Sequence, residues 1–341
     1  MDERAGEPRH DAIDGPTVRG SDGTDLPWLR PLGAIGRHVS AVTAGGSPLG
    51  GMPQLYGRDV GVDEAVETVT TILGSPVRTI DTSNGYSDGE SERRIGAGLA
   101  AVGGLPDDVT VITKVDPAGR DYSGDRVRAS VEESRARLGI DTLPLVHLHD
   151  PENFSFDELA APGGAVDALV SLRESGAIGS IGLAGGRVQA MTPYLNLGVF
   201  DALLVHNRWT LVDRSAGALL DQAQAQGLVL INAAVYGGGL LATSSTKPGA
   251  TYGYRPAPPE LLAAVEQMRA ACERHGVDLA TAALQFSLRD PRFTTTVVGM
   301  SRPSRVASTV AAAATEVPDA LWPELESLLP PSHTWVDAPS G

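Results

Sequence analysis

Eight short β-branched runs, each followed by a polar, glycine-containing loop and a longer helical pattern, predict an α/β chain folded as a single (β/α)8 TIM barrel with C-terminal rim loops. Strands separated by helices pair in parallel through right-handed crossovers. The regularity of the beat along most of the 341 residues favours a closed barrel over a doubly wound open sheet. No G-x-G-x-x-G opens a helix after the first strand, because Gly33, Gly36 and the Gly45–Gly46 pair lack that spacing. A dinucleotide must therefore be held in some way other than a Rossmann turn.

Residues 1–27 are rich in Gly, Pro, Asp and Arg, show no apolar period and read as a flexible tail; residues 28–341 read as the barrel. Trp28, at the boundary, reads as a hydrophobic plug for the barrel's start. Val39–Gly45 is the first expected strand and Asp63–Leu73 the first helix. Val77–Asp81 and Glu90–Ala100 form the second unit. Val109–Lys114 leads to a helix over Asp125–Leu138, opened by Ser123 and stopped by Gly139. Leu143–Leu148 precedes a helix near Ala165–Ser175, closed by Gly176. Ile178–Leu183, Asp201–His206 and Leu228–Ala233 are the next three strands. The last of these continues through a long loop into a helix over Pro259–His275. Thr294–Val298 is the eighth strand, with a helix from Pro303. Leu279–Leu288 and a segment around Leu321–Leu329 read as decoration on the outside.

A formal net charge of −15 repels polyanions and argues against a nucleic-acid partner. No run of apolar residues is long enough to span a membrane, and the N-terminus lacks the apolar core of a signal peptide. The single cysteine, Cys272, excludes an internal disulfide framework and fits a reducing compartment, so a cytoplasmic protein is expected. Nothing in the pattern specifies an oligomeric state.

In a barrel, chemistry sits at the C-terminal ends of strands. There the second strand ends at Asp81 and its loop carries Tyr86; the third ends at Lys114 and the fourth at His149. Lys114 beside Tyr86 would favour the phenolate, and Asp81 would hold the lysine in place, making Tyr86 a general acid and base. His149 would hydrogen-bond a substrate oxygen. None of these is a strong nucleophile, and a tyrosine exchanging a proton with a carbonyl oxygen suits hydride transfer to or from a nicotinamide. Taken singly, Asp81 is a turn former, Tyr86 a packing residue, Lys114 a snorkelling lysine and His149 a structural histidine. Their joint arrival at one rim carries the reading.

The stretch DTSNGYSDGESERRIGAGL resembles the aldo-keto reductase signature D-T-A-x-x-Y-G; VITKV resembles that family's lysine strand and LVHLHDPE its histidine strand. The likeness runs from about Arg30 to about Val310. It implies that Asp81, Tyr86, Lys114 and His149 form the catalytic tetrad of an NAD(P)-dependent oxidoreductase. DYSGDRVRASVEESRARLGID, HNRWTLVDRSA and PGATYGYRPAPPELL resemble the branch of D-threo-aldose 1-dehydrogenases, L-fucose dehydrogenases and pyridoxal 4-dehydrogenase. That likeness implies a small-molecule lactol or carbonyl substrate. The chain departs from the wider family after the fifth strand, where LAGG replaces a Ser-Asn pair, and near Ala233, where a stacking tyrosine is expected and Tyr236 follows three residues later. Gly45, Gly46, Asn207, Tyr236, Gly299, Ser301 and Arg305 are the cofactor-binding candidates. Arg305 falls on the family's phosphate-binding arginine and Gly299 on its lysine position, which favours NADP slightly over NAD. Tyr56, Phe154, Trp209 and Tyr252 are candidate walls of a substrate pocket, with Phe156 and Tyr254 also in the rim loops.

Three other readings compete. The same tetrad would serve a carbonyl reductase of a biosynthetic intermediate, since Tyr86 donates as well as accepts. A cofactor-sensing subunit without turnover is disfavoured by the intact tetrad. A metal-dependent hydrolase would use His147 and His149, which share a strand face, but the fifth strand supplies no further ligand, so no metal is expected.

Overall fold

The computed structural model describes residues 15–338. Its centre is a closed barrel of eight parallel strands: β1 (Val42–Gly45), β2 (Thr79–Asp81), β3 (Thr110–Val115), β4 (Leu143–His149), β5 (Ile178–Gly185), β6 (Ala202–His206), β7 (Val229–Ala233) and β8 (Phe293–Gly299), with β8 paired back onto β1. Helices α1 (Val62–Leu73), α2 (Glu90–Ala101), α3 (Gly124–Leu138), α4 (Ala165–Glu174), α5 (Val188–Leu195), α6 (Gly217–Ala225), α7 (Pro259–Arg274), α8 (Leu279–Leu288), α9 (Pro303–Ala314) and α10 (Leu321–Ser327) surround it. The expected fold class is the observed one.

Local chemistry sets the element ends. Ser123 caps α3 by accepting the Arg126 amide at 3.3 Å, and Gly139 stops it in the left-handed region at φ 68°. Asp278 caps α8 in the same way, accepting the Thr281 amide at 2.9 Å. The interior of the barrel is filled by Ile112, Leu145, Ala184, Leu204 and Ile231, a packed core rather than a pore. A larger apolar layer lies between strands and helices, with Val69, Ile95, Val131, Leu169 and Leu220 among its members.

Three sequence expectations shift. Residues 1–14 of the expected tail lie outside the described residues, but Val18–Arg19 and Asp25–Leu26 form a short antiparallel ribbon, with Val18 buried and Ser21 donating to the Arg289 carbonyl at 2.7 Å. Val39 belongs not to β1 but to a hairpin, Leu29–Pro31 against His38–Ser40, whose Leu32 and Val39 enter the barrel core and plug it. Trp28 instead packs in the outer layer and donates from Nε1 to the Pro76 carbonyl at 2.8 Å. Finally, α8 rather than α7 is the helix that covers the sheet. Its apolar surface runs all the way round (Leu279, Ala282, Ala283, Leu284 and Leu288 are buried), so it is enclosed on both sides. One side faces the strands, with Leu284, Leu288 and Phe293 in the common core, and the other joins Leu261, Val265 and Met268 of α7. The amphipathic α7 is therefore the outer helix.

Candidate active site

Parallel register sets the site. Asp81 pairs with Ile112, and Lys114 lies two residues further along the same face of β3. Lys114 pairs with His147, and His149 again lies two residues further on β4. Each strand thus delivers its polar residue one same-face step beyond that of its neighbour, which is how the stagger of a tilted barrel keeps such groups together.

Lys114 is buried, and its Nζ donates to Asp81 Oδ1 at 2.6 Å and to the Thr82 carbonyl at 2.7 Å. The same ammonium lies 4.9 Å from the centre of the Tyr86 ring. The Tyr86 and His149 rings meet edge to face at 5.6 Å. The four expected residues therefore converge at the C-terminal end of β2–β4.

The loop carrying Tyr86 is fixed by its own sequence. Asn84 donates to the Ser130 carbonyl at 3.1 Å and to Glu133 at 3.0 Å, and accepts from Arg126 at 3.2 Å. Arg137 bridges the Asn84 carbonyl at 3.0 Å and buried Glu92 at 3.2 Å. Thr82 Oγ1 lies 2.9 Å from Ser91 Oγ, which donates to the Gly46 carbonyl at 2.8 Å.

His149 has a partner that the sequence reading missed. Its Nδ1 lies 2.7 Å from Asp116 Oδ1, and Asp116 Oδ2 accepts the Gly85 amide at 2.7 Å and the Ser83 hydroxyl. Burial pushes His149 down and the neighbouring Asp116 carboxylate pushes it up; the carboxylate wins, and the ring stays charged to higher pH than an ordinary histidine. His147, two residues earlier, is fully buried, and burial together with Lys114 holds it neutral well below the usual histidine range. Gly182 on β5 makes room for it, since a Cβ there would lie 2.1 Å from its Nδ1. His147 is sealed in the barrel, and His149 Nδ1 is taken up by Asp116. Among the described residues, Asp150, Glu152 and His206 bring possible ligand atoms within 4.8 Å of one another at the rim, and neither member of the pair belongs to that group.

The cofactor candidates separate. Gly45 and Gly46 are buried at the end of β1, where the Gly46 amide donates to the Asp81 carbonyl at 2.7 Å. Gly299 is exposed at the end of β8; the Ser301 carbonyl accepts from Arg58 at 3.1 Å. Arg305 stands in the first turn of α9, and its charge reaches the Tyr236 phenol, which burial pushes up to about 12. Asn207 is buried with a positive φ of 60°, its Nδ2 3.1 Å from His206 Nδ1.

The pocket candidates also separate. Phe154 stands beside the site, edge to face with Tyr122 at 5.1 Å. Tyr122 in turn pins β4 by accepting the His149 amide at 2.9 Å. Trp209 turns outward instead: its ring lies among Phe286, Arg214 and Arg292, with the Arg292 guanidinium 4.3 Å away, a cation–π contact that draws it off the rim. Tyr252 is buried behind the rim, donating to the Asn207 carbonyl and facing Thr210 Oγ1, both at 2.7 Å, so it props the left-handed backbone of Asn207 rather than walling a pocket. Tyr254, largely exposed and 6.1 Å from the His206 ring, holds the open position. The Tyr56 side chain lies outside the described residues.

This architecture and polar rim define a TIM-barrel oxidoreductase. The model of the Aldo/keto reductase family matches residues 45–330, and the chain belongs to that family. It is an NAD(P)-dependent oxidoreductase. The chain is 31% identical to a D-threo-aldose 1-dehydrogenase of a Pseudomonas species over 86% of this chain and 94% of the relative. It is 34% identical to an L-galactose dehydrogenase of Arabidopsis thaliana, covering 83% and 87% respectively. A pyridoxal 4-dehydrogenase of Microbacterium luteolum matches at 29% over 87% of this chain and 96% of its own length. Among solved structures, a holo aldo-keto reductase from Bacillus halodurans superposes with a TM-score of 0.74 at 21% identity, covering 88% of this chain and 96% of that one, and so shares the fold.

Proposed function

We propose that the protein oxidises an aldose-like lactol, or interconverts it with the corresponding carbonyl compound, with Tyr86 as general acid and base. The observation that carries this reading is the convergence of Asp81, Lys114, Tyr86 and His149 within hydrogen-bonding and ring-contact distances on one rim. The relatives named for sugar substrates support the substrate class. Asp150, Glu152 and His206 beside the site offer acceptors and a donor suited to the hydroxyl groups of a polyol.

The rim fits a nicotinamide dinucleotide. The Asn207 amide is buried at the mouth, and Arg305 sits in the first turn of α9, where helix N–H groups and a guanidinium together favour a phosphate. Arg305 favours NADP over NAD. Bound there, the cofactor would supply the acceptor or donor of a hydride. Tyr86 takes the hydroxyl proton of the lactol during oxidation, or returns it during reduction. Lys114, its Nζ 4.9 Å from the centre of the Tyr86 ring, stabilises the phenolate, and Asp81 holds Lys114 at 2.6 Å. His149 donates a hydrogen bond to the same substrate oxygen, fixing the carbon that changes oxidation state.

The test is fluorescence titration with NADPH and NADH, followed by absorbance assays on aldoses and aldehydes, with Tyr86→Phe in parallel. Binding by both proteins, with turnover lower by about 100-fold or more in the variant, is the expected result. Equal turnover in the two would refute the role of Tyr86, and absence of nucleotide binding would refute the cofactor reading.

A further inference from the structure

We propose that Asp116 is a positioning residue for His149: with Ser83 and Gly85 it fixes the ring with Nδ1–H on the carboxylate and Nε2 toward the substrate, so that His149 acts there as a charged donor. The inference rests on the reading of Tyr86 and His149 as the substrate-facing pair, and extends the site by a carboxylate outside the tetrad.

The geometry is specific. Asp116 receives the Gly85 amide at 2.7 Å, the Ser83 hydroxyl and the His149 ring at 2.7 Å. The amide is a donor in every protonation state, and an ionised carboxylate offers only acceptors. The network is fully satisfied when Asp116 carries the negative charge and Nδ1 carries a proton. The contact requires close approach of two loops: a Cβ on Gly85 would lie 2.8 Å from Asp116 Cγ. Ser83 stands where the signature has alanine, and its hydroxyl also lies 3.1 Å from His149 Nδ1, so this departure builds the carboxylate's cradle. Tyr122 holds the His149 backbone from the other side at 2.9 Å. Both side chains are little exposed, 13% for His149 and 14% for Asp116, which keeps the pair in a weakly screened environment.

Charged and titratable groups face His149 from each neighbouring strand. Lys114 on β3 opposes the imidazolium, but it is bound to Asp81 at 2.6 Å. His147 on β4 and His206 on β6 are driven toward neutrality by burial and contribute no competing charge near neutral pH. Asp150, 3.8 Å from Nε2, adds to the attraction when ionised. Tyr86 meets the ring edge at 5.6 Å. Among the described residues Asp116 is the one carboxylate in direct hydrogen-bond contact with His149, and removing its charge removes the largest attraction.

The experiment is side-chain NMR of the ¹⁵N-histidine-labelled full chain across pH, with His149 signals assigned by loss in His149→Gln. It is repeated on Asp116→Asn and Ser83→Ala and paired with kcat–pH profiles. In the wild type, His149 should lose its charge above the ~6.5 of an ordinary histidine, with Nδ1 protonated. Asp116→Asn should move that transition below the ordinary value and shift the neutral ring's proton to Nε2, because the amide can donate to Nδ1. Its kcat should fall on the order of tenfold at neutral pH, with the deficit closing as pH is lowered and NADPH affinity unchanged. Ser83→Ala, which keeps the carboxylate, should retain the wild-type order of protonation. A wild-type His149 that is neutral below the ordinary value overturns the inference without any variant, including where Asp116→Asn does not fold. So does an Asp116→Asn protein whose His149 titrates unchanged, whatever its activity. Loss of the oxidoreductase reading would appear separately, as absent wild-type turnover, and would leave the NMR result intact.

Discussion

Replacing Lys114 by methionine isolates the electrostatics of the rim. Lys114 Nζ and Asp81 Oδ1 are 2.6 Å apart, with side-chain exposures of 2% and 5%. At an effective dielectric of about 20 their attraction is about 6 kcal/mol, while desolvation costs several kcal/mol for each ion, so the net worth of the pair is small. Removing one partner is a different matter. Lys114→Met leaves the Asp81 carboxylate buried, with Oδ2 already lacking a hydrogen-bond partner among the described residues, and deprives the Thr82 carbonyl of its donor. The expected loss is about 3–5 kcal/mol of unfolding free energy. Asp81→Asn added to Lys114→Met removes the stranded charge and should restore roughly 2 kcal/mol, a coupling typical of groups in direct contact. Equilibrium urea unfolding followed by circular dichroism reads both variants. A Lys114→Met protein within about 1 kcal/mol of wild type, or a double variant less stable than that single one, would refute the stranded-charge argument.

Two further outcomes follow from the same geometry. Arg305→Ala should weaken NADPH about tenfold in a fluorescence titration and leave NADH within about twofold, since one charge-assisted phosphate contact is lost; equal loss for both nucleotides would remove the arginine from the 2′-phosphate. Burial, reinforced by Arg208, lowers His206 to about 3. The unfolded chain therefore takes up a proton below about pH 6.5 that the folded site refuses, and stability falls as pH drops from there toward 3. His147 acts in the same direction, whereas His149, raised, favours the folded state below its transition. His206→Gln should flatten the decline of the urea midpoint between about pH 7 and pH 5; an unchanged slope would show that His206 does not contribute.

The sequence exposed the fold wherever period and caps agreed. The strands from Thr79 to Gly299 and the α3 terminators at Ser123 and Gly139 were legible because both signals are local. The start of β1 was not: Val39 and Val42 belong to one β-branched run, and only the bend at Ala41 divides hairpin from barrel. The roles of α7 and α8 were exchanged because length suggested the barrel helix, while the informative signal was that α8 is apolar on every face. At the site, Asp81, Lys114 and His149 were readable from the ends of their strands, and Tyr86 from the loop that follows Asp81. Trp209 and Tyr252 were misplaced because a loop sequence does not say which way an aromatic ring turns. Asp116 went unread because it lies in the rim loop just past β3, and a loop sequence does not say that a side chain turns toward the histidine of the next strand. Its signal lay in Ser83, the signature's alanine position filled by a hydroxyl, which makes sense only with an acceptor opposite.

Two carboxylates explain how a strongly acidic chain holds two basic side chains against Tyr86. A formal net charge of −15 says nothing of the space around Tyr86, where Lys114 and His149 stand on two sides of one phenol. Each cation is anchored from behind, Lys114 by Asp81 at 2.6 Å and His149 by Asp116 at 2.7 Å. Lys114 reaches the Tyr86 ring face, and His149 meets Asp116 through Nδ1. The anchors thus reduce the cost of burying positive charge. On the proposed reading of Tyr86 as general acid and base, a developing oxyanion would meet fixed donors that need no reorganisation. Losing either anchor should therefore disturb Tyr86 as well as the cation it holds: Asp81→Asn through a loosened ammonium, Asp116→Asn through a discharged imidazole. Because the anchors lie on β2 and on the loop after β3, their effects should be separable in pH, with only Asp116→Asn recovering activity as the medium is acidified.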